Sequence, residues 1–97
     1  MDRKIANKFA SEKILQLLKE QGIDHLYIQA RGDHLVLYSL EDTEKVNRVR
    51  FTRLSANKYQ LSMADHRGRW EKTPFTGTIP ELVEMLIEQF SFMLAEY

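Results

Sequence analysis

The chain has 97 residues, 43% hydrophobic and 29% charged, and its 14 basic and 14 acidic side chains cancel to a formal net charge of zero. That size and balance describe one globular domain over residues 1–97 and exclude a disordered tail or a uniformly charged protein. Cysteine is absent, which excludes disulfides, thiol nucleophiles and thiolate metal sites. No apolar run approaches the roughly 20 residues that span a bilayer, so neither a membrane helix nor a secretory leader is expected, and the expected location is the cytoplasm.

The first predicted element is a helix from Arg3 to Gln21. Ala6, Ala10, Ile14, Leu17 and Leu18 share one face at helical spacing, with Phe9 on its shoulder. Gly22 follows as a left-handed stop. A hairpin comes next, turning at Gly32-Asp33 with glycine in the first central position. Pairing outward from that turn gives Arg31–His34 through Tyr27–Tyr38 to Leu26–Ser39. One face then collects Leu26, Ile28, Ala30, Leu35 and Leu37, a pattern that a one-residue slip would scramble.

Glu41, Asp42 and Glu44 read as a solvated acidic loop. The second hairpin turns through Ser55-Ala56-Asn57, with asparagine at a left-handed position. Arg53–Tyr59, Phe51–Leu61 and Val49–Met63 then face the core. Thr52–Gln60, Arg50–Ser62 and Arg48–Ala64 face outward. A fifth strand over Arg69 to Thr73 follows Asp65-His66-Arg67-Gly68, and two registers are open. A four-residue loop pairs Trp70 with Met63 in the core, and a three-residue loop pairs it with Ala64 outside. The large area of a tryptophan favours the first.

Thr78-Ile79-Pro80-Glu81 is a capping box with proline in the first turn. Ile79, Leu82, Val83, Leu86, Phe90, Met93, Leu94 and Tyr97 continue it as one apolar stripe to the end of the chain, and Met85 and Phe92 align seven residues apart on the other side. The expected fold is α+β: an α-β-β-β-β-β-α chain whose antiparallel meander sheet has both terminal helices on one face.

Charge is segregated along this plan. Residues 45–72 carry 8 basic side chains (Lys45, Arg48, Arg50, Arg53, Lys58, Arg67, Arg69, Lys72) against Asp65 and Glu71, whereas residues 73–97 carry only acidic ones (Glu81, Glu84, Glu88, Glu96). The outer sheet face gathers Tyr27, Gln29, Arg31, His34, Val36, Tyr38, Arg48 and Arg50, with Leu40 and Val46 joining them. Tyrosines beside arginines suit base stacking and phosphate neutralisation, although no nucleic-acid motif is present. Tyr27 and Tyr38 are equally a stabilising cross-strand pair.

Arg67 and Arg69 sit by a charged turn, where the plain expectation is a local ion pair with Asp65. His25 and His34 fall about 20 Å apart, too far to share a metal. Nucleotide-loop and hydrolase motifs are missing. The expected function is a non-catalytic interaction module without cofactor or metal. It would bind another protein or its own copy as a homodimer through Tyr27, Tyr38, Arg48, Arg50 and Phe92. The alternative is a nucleic-acid-binding module using Arg48, Arg50, Arg67 and Arg69.

Overall fold

A computed structural model describes residues 2–96. Helix α1 spans Arg3–Glu20, strands β1 Tyr27–Arg31, β2 His34–Glu41, β3 Glu44–Ser55, β4 Lys58–Ala64 and β5 Trp70–Gly77, and helix α2 Ile79–Gln89, followed by a 3-10 turn at Ser91–Leu94. The five strands form one antiparallel sheet in sequence order. Both helices pack against one face of it and against each other, which gives the expected α+β plan.

The capping chemistry explains where the helices start and stop. Asp2 accepts from the Lys4 N–H at the start of α1. At its end Gly22, at φ +79°, lets its own N–H reach Lys19 O and the Ile23 N–H reach Leu18 O, a Schellman closure. Thr78 and Glu81 form the reciprocal capping box of α2. The core between the layers holds Ile14 and Leu18 of α1, Leu82, Val83 and Leu86 of α2, and Leu35, Leu37, Val49, Phe51, Tyr59 and Leu61 of the sheet. Asn7 is buried on the same face of α1 and donates to Gly32 O at 3.0 Å, which ties the helix to the first hairpin turn.

The first hairpin keeps its register from Tyr27↔Tyr38 to Arg31↔His34, with Leu26 just outside the strand. The next connection is tighter than a solvated loop. Asp42 and Thr43 both have positive φ (51° and 68°) and make a two-residue turn between Glu41 and Glu44. The third hairpin keeps its expected pairs from Val49↔Met63 to Arg53↔Tyr59, but Arg48 does not pair with Ala64 and the loop differs. Asn57 does not adopt positive φ; instead Ser55 pairs with Lys58 and Leu54 is taken up as a bulge.

Further expectations change. Leu37 pairs with Val49 but Tyr38 pairs with Asn47, so Arg48 is an extra residue in a β-bulge. Beyond it the alternation of β3 reverses, and Val46, opposite the buried Ser39, belongs to the helix-covered side rather than the outer face. Trp70 pairs with Ala64, not Met63, so it lies on the outer face. Strand β5 also runs on through Pro74 to Gly77, an edge position where a proline costs no ladder bond. Finally, α2 stops at Phe90, so Met85 and Phe92 do not share a continuous helix. Tyr97, expected on the same stripe, lies outside the described residues.

Candidate functional site

The open face of the sheet is built by register. Gln29, Val36, Arg50 and Ser62 form one row across β1 to β4, and Lys72 extends it on β5. Arg31, His34, Thr52 and Gln60 form the row beside it. Val36 is short and its neighbours in the row are long, so the face is dished rather than flat. The resulting trough has a volume of about 390 Å³ and is lined by Gln29, Arg31, His34, Val36, Lys45, Asn47, Arg50 and Trp70. Three of these are cations, and no carboxylate lines the trough among the described residues.

Aromatic rings set the positions of the cations. The Arg50 guanidinium lies 4.9 Å from the centre of the Trp70 ring, and the Lys45 ammonium lies 4.5 Å from that of Tyr38. Lys45 also donates to the Gln29 side chain. Tyr38 stacks on Tyr27 at 5.6 Å, and Tyr27 remains 48% exposed. His34 Nδ1 is 2.8 Å from Thr52 Oγ1. Burial and then the Arg50 charge hold the His34 pKa below its ordinary 6.5, against a smaller opposing pull from Asp33. Asp33 is itself engaged at 3.4 Å by Arg3.

The expected site residues divide accordingly. Tyr27, Tyr38 and Arg50 share the open face, but only Arg50 lines the trough, and the stacked tyrosines lie beside it. Arg48 is not on that face: it is 4% exposed, because the bulge turns it toward the helix layer. There its Nε donates to Ser39 Oγ at 3.1 Å, its Nη1 donates to Met93 O at 3.1 Å, and Glu41 lies 3.8 Å from its Nη2. Helix α2 has no basic residue in its last turn, so Arg48 supplies the cation that its tail lacks. The placement of Arg48 on the outer face is therefore corrected to a structural role.

Arg67 and Arg69 are exposed at the β4–β5 turn and do not line the trough. Asp65 organises that turn: its Oδ1 accepts the Arg67 and Arg69 N–H groups at 2.8 and 2.9 Å, and its Oδ2 lies 3.6 Å from Arg69 Nε. These bonds, the Arg69 N–H first, hold the Asp65 carboxyl below its ordinary 3.8. Phe92 is 60% exposed on the 3-10 turn, edge-on to Phe90 at 6.1 Å, and does not join the trough.

Sequence reasoning missed Lys45, Asn47 and Trp70. For Trp70 a signal was present. Gly68, at φ +79°, suits the last position of a three-residue loop, His66-Arg67-Gly68, which Asp65 N–H closes by donating to Arg69 O. For Lys45 and Asn47 the signal was the Arg48 bulge, which nothing local in the chain announces.

No group of three or more histidine and carboxylate side chains is placed to hold a metal ion among the described residues. No helix among them is long and apolar enough to cross a membrane. Comparisons with protein-family models, with curated proteins and with solved structures find no match to this chain.

Proposed function

We propose that the chain is a non-catalytic binding module whose open sheet face takes a polyanion, with single-stranded nucleic acid as the partner class. The observation that supports this is the trough: Arg31, Lys45 and Arg50 line it with Trp70, and no carboxylate does among the described residues. Cations interleaved with rings on an exposed sheet neutralise phosphates and stack bases without demanding a sequence. Self-association through the same face is disfavoured, because a two-fold contact would set like charges against each other. In support of the non-catalytic reading, His34 Nδ1 faces a threonine hydroxyl rather than a carboxylate that would orient the ring as a base.

The test is a binding titration with single-stranded and duplex oligonucleotides over a range of salt. The expected result is a single-strand preference, with affinity falling by a slope of about 0.7 for each phosphate contacted. Arg50→Met should reduce both affinity and slope. An absence of binding at low salt overturns the proposal.

A second reading, a protein partner or a second copy, is supported at a different place. Ile5 (48% exposed), Phe9 (58%) and Leu54 (53%) leave large apolar surface in water. Phe9 also borders a groove of about 660 Å³ between α1, the β3–β4 turn and the start of α2. Sedimentation at high micromolar concentration separates the readings: a dimer that persists in high salt and is lost in Phe9→Ser supports the apolar contact, and a monomer counts against self-association.

A further inference from the structure

The trough contains polar groups that a solvated sheet face does not require. Arg50 is held over Trp70, yet its Nε is buried without a hydrogen-bond partner among the described residues. Asn47 Oδ1, in the same trough, is also buried and unpartnered among them. A side-chain amide presents either an acceptor or two donors according to how it is rotated. Buried polar atoms without partners carry a cost that a bound ligand removes. Thr52 occupies Nδ1 of His34, which leaves Nε2 for another group.

We propose that this trough seats a phosphomonoester, the phosphorylated end of a single strand or a free mononucleotide. The proposal rests on the open-face reading and narrows it. A phosphomonoester carries about −1.5 to −2 charge near pH 7, whereas a backbone diester carries a single charge. Three lining cations without a lining carboxylate among the described residues match the dianion better. The guanidinium of Arg50 offers a planar set of donors to phosphate oxygens, and Arg31 and Lys45 supply further charge. The ammonium of Lys45 meets the Tyr38 ring and the neutral Gln29 acceptor, and a phosphate oxygen would outcompete that amide. The volume of about 390 Å³ exceeds what a bare phosphate needs and reaches the range of small-ligand sites, so Val36 and Trp70 are left to border a sugar or base.

The sole tryptophan of the chain is Trp70, so its fluorescence reports on the trough without a label. Oligothymidylate with a terminal phosphate, the same strand with hydroxyl ends, thymidine monophosphate, thymidine, inorganic phosphate and a phosphoserine peptide are titrated at one ionic strength. The phosphorylated strand should bind at least about tenfold more tightly than the hydroxyl strand. Thymidine monophosphate should compete and thymidine should not. Arg50→Met and Lys45→Gln should each remove the difference between the strands while leaving residual salt-dependent binding, and melting curves should show both variants folded. Equal affinity of the two strands overturns the phosphomonoester seat and leaves the open-face reading standing. A response to thymidine monophosphate without any strand binding supports the seat and overturns the wider reading. Inorganic phosphate or the phosphopeptide matching the nucleotide overturns the nucleotide assignment.

Discussion

The two faces of the sheet use the same residue type in opposite ways, and Arg48 and Arg50 show it within three positions of β3. Arg48 is sealed under the helix layer and bonded to Ser39 and Met93, with Glu41 beside it. Arg50 lies in the open trough with its guanidinium 4.9 Å from the centre of the Trp70 ring and its Nε unpartnered among the described residues. One bulged residue separates these fates. A guanidinium that closes a fold has its donors satisfied within the protein, whereas one available to a ligand keeps a donor unsatisfied. The comparison is therefore between stability and binding, and substitutions on the two faces should separate them.

The largest expected effect belongs to the covered face. Phe51 is fully buried at the centre of the core. Phe51→Ala should cost about 3–5 kcal/mol in chemical denaturation, through lost burial and the cavity left behind. Arg48→Met comes next, at about 3 kcal/mol, because it removes a buried charge from partners that remain. Its distinctive mark is local: amide exchange should quicken over Ser91–Leu94, where Arg48 holds the Met93 carbonyl. If that segment is as protected in Arg48→Met as in the wild type, the buried arginine is not what fixes the tail.

The covered face was largely legible in the chain, and so was the open face as far as Gln29, Arg31, His34, Val36 and Arg50, but not its share from Lys45, Asn47 and Trp70. Hydrophobic alternation identified Leu35, Leu37, Val49, Phe51 and Leu61 as inward because burial punishes any other register. The same alternation misplaced Arg48 and Val46. A bulge costs the ladder little and leaves no signature in composition, so everything before it on β3 changed sides. Trp70 was misassigned by weighing its area above the turn chemistry of Gly68. Its ring meets the Arg50 guanidinium, so much of its area is covered outside the core. The end of α2 was missed because Phe90 and Ser91 are no formal breakers.

A smaller effect tests the ends of the elements. Thr78→Ala removes the side chain that accepts from Glu81 N–H and should cost about 1 kcal/mol. Acid should act on the same device. Hydrogen bonds from the Thr78 backbone and side chain hold the Glu81 carboxyl below its ordinary 4.5, and Asp65 is held below 3.8. Both contributions are complete above those ordinary values and are lost as pH falls through them toward the lowered folded ones. His34 acts earlier. Its folded pKa lies below 6.5, so the unfolded chain takes up that proton first, and stability should already decline as pH falls under 6.5. Melting temperature against pH should thus fall in two stages, with the first absent in His34→Gln. A single stage in the wild type would mean that His34 is not shielded in the trough.

The smallest expected change in stability is the most informative. Arg50→Met is the same substitution as at Arg48, on the other face. It gives up a cation–π contact of about 0.5–1 kcal/mol with Trp70. It also deletes a buried donor that has no partner among the described residues, whose cost is about 1–3 kcal/mol. These effects oppose each other, so Arg50→Met should not destabilise the protein, in contrast to Arg48→Met. The His34 pKa should rise toward 6.5, because the second of the two causes that lower it has been removed. A loss as large as that of Arg48→Met would place Arg50 among the residues that hold the fold, and the open face would lose its claim to a partner. A stable protein with a raised His34 pKa and weakened anion binding would leave Arg50 with the single role that the bulge denies to Arg48.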